Sequence, residues 1–388
     1  MRYAQTCLRR LHDLLPVTGF HFDRPLVLLQ SDDWACVGLR DGDGMEELRS
    51  AGIALGERPY DYYTLETAED LTALSALLRT HRDSMGRHPC LEMNFIVANL
   101  DFDKALETGG LAFLPIADGF PKGWLRPNLV EGFRSGIADG VFRPALHGTS
   151  HFCRPAIEKA LSDPERATLL HLLWRSGTPY IHWRMPWIGY EYWDPVQSAE
   201  ERFLGFEEQE TFIGESVGLF ARMFSELPIT ACAPGYRAND DTHRAWSAHG
   251  IRVAQNGPGS FRAPYIGRHD LLHLTRTVDF EPAVDPSFSL ENCLNQAERC
   301  FALGIPAIVS VHSINFHSTA KDFRSRTLEA LDQFLTALEL RHSDLLYLHD
   351  EDLYEGISRG KYQTPDSAVE LKVTQKKFVP SMVASNKQ

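Results

Sequence analysis

Short apolar runs of strand length alternate along this chain with stretches whose large apolar residues recur at helical spacing. Strand-like runs fall at residues 25–31, 90–98, 142–146, 229–233, 251–255, 271–278, 306–311 and 345–348. Between them, residues 64–82 carry Leu65, Leu71, Leu74, Leu77 and Leu78 on one helical face. Residues 207–227 do the same with Phe212, Leu219, Phe220, Met223 and Phe224. Residues 155–174 and 323–340 also read as helices, and Ser289 and Gly304 bracket another. Asp240 or Asp241 can cap the helix that Gly250 ends. About seven buried strands joined by helices make an α/β fold, closed into a barrel or opened into a doubly wound sheet. Residues 180–193 break the pattern, with three Trp and three Tyr in a stretch that fits no single period. They read as a loop or lid inserted over about residues 177–206. Residues 1–360 are expected to form one catalytic domain. Residues 361–388 are polar and unpatterned and read as a frayed tail.

The polar residues fall at strand ends. Leu26-Val27-Leu28-Leu29-Gln30-Ser31 runs into Asp32-Asp33-Trp34, and residues 142–146 lead into His147-Gly148-Thr149-Ser150-His151. Arg237 sits in a Pro-Gly turn after residues 229–233, and residues 306–311 end at His312. In a parallel barrel all four positions share the C-terminal face. Two adjacent carboxylates at the end of a buried strand are costly unless a cation offsets them. His147 and His151 straddle a turn, so both imidazoles can reach one ion. Among sixteen histidines a second such pair exists, His269 and His273, but on an extended strand its members stand about 13 Å apart. One Asp with two His can thus hold a metal while the second Asp acts as a base.

Composition narrows the partners. The chain has 388 residues, is 43% hydrophobic and 23% charged, and carries a net charge of −13. No basic run marks a nucleic-acid surface. No stretch has the length of a membrane span, and residues 1–16 lack an uninterrupted apolar segment of the kind that directs secretion. Seven scattered cysteines without a CxxC pair read as reduced thiols, which points to the cytoplasm.

The order Asp-Asp, His-x-x-x-His, an Arg-bearing Pro-Gly turn and a strand ending in His resembles the polysaccharide deacetylases, carbohydrate esterase family 4. The similarity spans about residues 20–355. Residues 233–239 look especially like the sugar deformylase and deacetylase branch that faces the cytoplasm. The resemblance implies a distorted (β/α)7 barrel and a divalent metal, usually zinc, held by Asp33, His147 and His151. It implies Asp32 as general base, Arg237 orienting it, His312 as general acid, and the backbone N–H near Tyr236 as oxyanion donor. The acid's supporting carboxylate would be Asp279 or Asp285. Trp34, Tyr236, Asn239 and Asn315 are candidate substrate contacts, with His317 a weaker candidate on the same face. Trp34 stands where the family usually has glycine. The implied activity removes an acetyl or formyl group from an amino sugar or glycan precursor in surface polysaccharide synthesis. The alternatives are a metal-free glycoside hydrolase or lyase using carboxylates, and a non-catalytic carbohydrate-binding relative. Adjacent acids argue against the former, whose carboxylates must flank the bond about 5–10 Å apart.

Overall fold

The computed structural model describes residues 17–364 and 367–378. The readings made for residues 1–16 and 379–388 lie outside the described residues. Seven parallel strands form the frame: β1 (Leu26–Trp34), β2 (Leu91–Phe95), β3 (Phe142–Leu146), β4 (Thr230–Cys232), β5 (Val253–Asn256), β6 (residues 272–279) and β7 (Ala307–His312). β6 closes the ring. Its first half, Leu272–Thr275, runs beside β5, and its second half, Val278–Asp279, runs beside β7. The Thr277 N–H donates to the Ile308 carbonyl at 2.9 Å, and the Ile308 N–H returns to the Thr277 hydroxyl at 3.0 Å. This is the distorted (β/α)7 barrel that the resemblance implies.

The distortion lies at the N-terminal end. There β6 takes an antiparallel partner, Tyr265–Ile266, followed outward by Val17–Phe22 and Val373–Phe378. The segment after residue 361 is therefore not frayed as far as Phe378. It forms Lys361–Gln363, Ala368–Glu370 and Val373–Phe378, anchored by buried Tyr362, Val369 and Leu371. Its last strand is an edge strand with four exposed residues in a row, so it shows no apolar alternation. The run at residues 155–174 is two helices, Arg154–Leu161 and Pro164–Arg175, because Asp163 caps a new start at Pro164. Asn239, rather than Asp240 or Asp241, caps the helix Asp240–Ala248. No helix among the described residues is long and apolar enough to cross a membrane.

Side chains inside the barrel are layered. Leu26, Leu28, Val253, Leu272, Leu274 and Ile308 pack together with Phe20 and Phe22 at the N-terminal end. Two residues further along the same strands come Gln30, Gln255, Arg276 and Ser310, with Glu92 in register with Gln30. Asp32, Asn94 and His312 form the next layer, and Asp32 is in register with His312. The strand period of two thus carries an apolar plug, a polar middle and a reactive rim up one interior. The alternate residues, including Val27, Leu29, Leu91, Met93 and Val309, pack outward against the helices.

Candidate metal centre and active site

β1 does not end before its two acids; both lie within it. A bulge interrupts its pairing with β2 between Ser31 and Trp34. Asp33 and Ala35 adopt left-handed backbone conformations, φ +70° and +59°. Each such conformation costs on the order of 1–2 kcal/mol for a residue other than glycine. Three contacts hold it: Glu66 Oε1 accepts the Ala35 N–H at 2.8 Å, and the Tyr63 and Ser313 hydroxyls donate to the Asp33 carbonyl at 2.9 and 3.1 Å. Strain concentrated this way is characteristic of functional sites.

The Asp33 carboxylate meets two imidazoles. Its Oδ1 lies 3.3 Å from His147 Nε2 and 3.2 Å from His151 Nε2. The other ring nitrogen of His147, Nδ1, lies 2.9 Å from the Cys232 carbonyl, which fixes it as the donor and turns the Nε2 lone pair toward Asp33. Asp33 Oδ1 is buried and has no hydrogen-bond partner. Burial opposes ionisation of Asp33, but His151 and His147 hold its carboxyl well below the usual carboxylate range. Acceptor atoms converging on one buried point, with one oxygen orphaned, fit a cation. The ligand set of one carboxylate and two imidazoles suits zinc with an open position.

Asp32 is held differently. Arg276 grips it with two bonds of 2.6 Å, Nη1 to Oδ2 and Nη2 to Oδ1. Asn94 donates to Oδ1 at 2.6 Å and the Tyr236 hydroxyl to Oδ2 at 2.9 Å. Burial raises the Asp32 pKa, but the Arg276 guanidinium outweighs it and keeps the carboxyl far below its ordinary value. The arginine bonded to Asp32 is Arg276, which the sequence reading did not single out. Arg237 lines the cavity and lies over the Trp193 ring, 4.7 Å from its centroid. Below Arg276, Gln30 and Gln255 accept from its guanidinium and donate to Asp350, so that the buried arginine is satisfied on every side.

His312 faces the same point, with Nε2 3.8 Å from Asp32 Oδ2. Its Nδ1 lies 2.6 Å from Glu281 Oε1. Burial lowers its pKa, yet Glu281 overrides this and pushes it up to about 9. The supporting carboxylate is thus Glu281. Asp279 and Asp285 fail in that role: Asp279 is exposed and takes Gln296 at its backbone N–H, and Asp285 bonds Ser287. A glutamate two residues beyond a short strand gives no sequence signal until the strand end is known.

The other candidates separate. Tyr236 is in the site, but its N–H is committed to the Ala233 carbonyl at 2.8 Å, so it is no oxyanion donor here. Asn315 is fully buried and acts behind the site, donating to Glu281 Oε2 at 2.5 Å. Trp34 is fully buried and stacks on Phe316, because the bulge turns it into the helix layer. Asn239 is consumed by helix capping. His317 is buried against Glu66, 3.5 Å away. His269 bonds Asp240, while His273 stacks on Tyr265, so that pair shares no ion.

The aromatic segment proves to be structural as well as a cavity wall. Glu191, fully buried, accepts the N–H groups of Thr149 at 2.8 Å and Ser150 at 3.3 Å, and so pins the turn between the two histidines. Gly148 has φ +90°, and a Cβ there would lie 1.9 Å from Glu191 Oε2. Burial pushes Glu191 up to about 7, against Arg154 and those N–H groups. Above the rim opens a cavity of about 610 Å³, lined by Asp32, Asp33, His147, His151 and His312 and walled by Tyr60, Tyr63, Tyr180, Trp183 and Tyr190.

No protein-family model and no curated protein sequence matches the chain. Among solved structures it is similar to a protein from Mycobacterium smegmatis described as a polysaccharide deacetylase, at 12% identity and a TM-score of 0.45, over 87% of this chain and 91% of that one. It is similar to a protein from Parabacteroides distasonis described as a glycoside hydrolase/deacetylase, at 12% identity and a TM-score of 0.49, over 89% and 73%. It is also similar to the Puue allantoinase, at 11% identity and a TM-score of 0.46, over 87% and 92%. Likeness this distant assigns no role to any residue. The structures similar to this chain nevertheless include those of polysaccharide deacetylases, the family its motifs resemble.

Proposed function

We propose that the chain is a metal-dependent hydrolase that removes an acetyl or formyl group from the nitrogen of an amino sugar. The observation that carries this reading is the convergence of Asp33, His147 and His151 on one point beside the Asp32–Arg276 and His312–Glu281 pairs. A divalent cation held by those three residues, for which we propose zinc, supplies Lewis acidity and makes water a nucleophile near neutral pH.

Asp32 accepts the proton of the attacking water. Arg276 keeps the carboxylate ionised and fixes its plane. The Tyr236 hydroxyl, which accepts from Arg276 Nη1 at 2.9 Å and donates to Oδ2, helps hold the carboxylate in place. His312, held as imidazolium by Glu281, donates to the amide nitrogen as the C–N bond breaks. The tyrosine and tryptophan walls give faces for a sugar ring. The six described cysteines are all free thiols, which supports a reducing compartment and hence a cytoplasmic precursor of surface polysaccharide. A carboxylate-only glycosidase is disfavoured, because Asp32 and Asp33 are adjacent in one strand rather than flanking the cavity, and Glu281 is paired with His312.

The test is metal quantification on the purified protein together with acetate and formate release from a panel of N-acylated amino sugars. We expect about one equivalent of metal per chain, release from at least one sugar, and Asp32→Asn that keeps the metal and loses turnover. Metal retention with no release from any sugar favours the non-catalytic relative. A fully active Asp32→Asn removes the base from the mechanism.

A further inference from the structure

Arg58 lines the cavity with its guanidinium carbon over the Trp183 ring, 4.4 Å from its centroid. Arg184 also lies over the same indole, at 4.3 Å. Trp183 itself is fixed, because its indole N–H donates to Asp61 Oδ1 at 2.8 Å. The second oxygen of Asp61 accepts the backbone N–H groups of Gly56, Glu57 and Arg58 at 2.8, 2.9 and 3.0 Å. One buried carboxylate thus anchors both the indole platform and the backbone that presents Arg58. Across the cavity Arg237 rests on a second indole of the same segment, that of Trp193.

The acids of this cavity are already occupied. Asp32 belongs to Arg276, Asp33 to the proposed metal site with the two imidazoles, and both oxygens of Asp61 to N–H donors. Arg58 makes no ion pair among the described residues. A guanidinium stacked by its face keeps its edge donors in a fixed plane, the geometry that suits bidentate oxyanions. Stacking also removes much of the entropic cost of ordering an exposed arginine.

We propose that this arginine–indole platform is a subsite for an anionic group on the substrate, so that the hydrolase acts on acylated amino sugars bearing a phosphate or a carboxylate. The inference rests on the hydrolase reading above and narrows its substrate. In the bound state the amide lies at the Asp33–His147–His151 rim and the sugar ring spans the tyrosine walls. The oxyanion reaches the edge of the exposed Arg58 guanidinium.

The test compares N-acetylglucosamine, N-acetylglucosamine 1-phosphate and N-acetylgalactosaminuronic acid, by acetate release and by titration calorimetry on the metal-loaded full chain. We expect kcat/KM and affinity for at least one anionic sugar to exceed those for the neutral sugar by about tenfold or more. The phosphate and carboxylate arms identify which anion is preferred. In Arg58→Gln the preference is expected to fall to within about twofold, through KM rather than kcat, with an unchanged melting temperature. Arg58→Lys, which keeps charge but loses the fork, is expected to recover part of it. Equal handling of neutral and anionic sugars, or a preference that survives in Arg58→Gln, overturns the subsite while leaving the hydrolase reading intact. If no sugar is cleaved, the hydrolase reading fails, and the calorimetric comparison still decides whether the anion subsite exists.

Discussion

Glu281→Gln tests the proton donor. The imidazole of His312 has an ordinary pKa of 6.5 and stands at about 9, because Glu281 overcomes the burial that would lower it. That rise is worth roughly 3 kcal/mol in favour of the imidazolium. The sign follows from the direction. A raised folded-state pKa stabilises the fold fully below about 6.5, and the contribution is lost as pH rises through about 9. The same proton is needed for catalysis, so acyl release falls along an alkaline limb set by His312. Glutamine removes the charge and keeps one acceptor for the His312 ring, at the cost of the Asn315 bond to the second oxygen. The limb then moves down from about 9 toward the ordinary 6.5, with Asp33 and Asp32 still favouring the charged ring. A full return to 6.5 would leave about thirtyfold less of the acid in its working form at pH 8. A bound cation repels the imidazolium in both proteins, so the displacement between the two profiles is the diagnostic quantity rather than either limb alone. The assay is the pH dependence of kcat/KM, paired with NMR titration of the His312 ring, which needs no substrate. Coincident limbs, or a ring that titrates at the same pH in both proteins, would refute the assignment of Glu281 as the group that charges the acid.

Three further outcomes follow from the same geometry. Asp33→Ala, His147→Ala and His151→Ala are each expected to weaken metal binding by at least about tenfold, measured by competition with a chromophoric chelator. Gly148→Ala forces a Cβ onto Glu191 Oε2 at a left-handed position, so it should cost about 2–4 kcal/mol in denaturant unfolding and weaken metal binding together. Arg276→Met leaves Asp32 buried without its counter-charge and should lower stability at neutral pH by about 3–5 kcal/mol in the same experiment.

What was legible in the chain and what was not divides along one line. Strand ends and short motifs are local, so Asp33, His147, His151 and His312 could be found from an apolar run followed by a polar residue. Their meeting needs only the rule that parallel strands share a C-terminal face. The frame was legible for the same reason, down to Ser289 and Gly304 as the bounds of one helix. The supporting groups were hidden because each acts across the barrel. Glu191 sits in an aromatic stretch whose disorder of period suggested a lid, yet its carboxylate reaches back more than forty residues to the histidine turn.

Arg276 shows the point most sharply. It lies inside residues 271–278, a stretch of apolar residues and threonines, where a lone arginine has no apparent partner along the chain. Strand alternation alone puts its side chain on the same face as Leu272 and Leu274, hence inside the barrel. A fully buried guanidinium cannot be left unpaired, because its desolvation costs several kcal/mol. Some interior acid must therefore answer it, and β1 offers only one inward carboxylate, Asp32, two residues above Gln30. Arg276 and the aspartate that is costly beside a second acid are two halves of one pair. A buried arginine on an inward register demands an interior acid, and the one that answers it is Asp32, a layer above, rather than Glu92 at its own height.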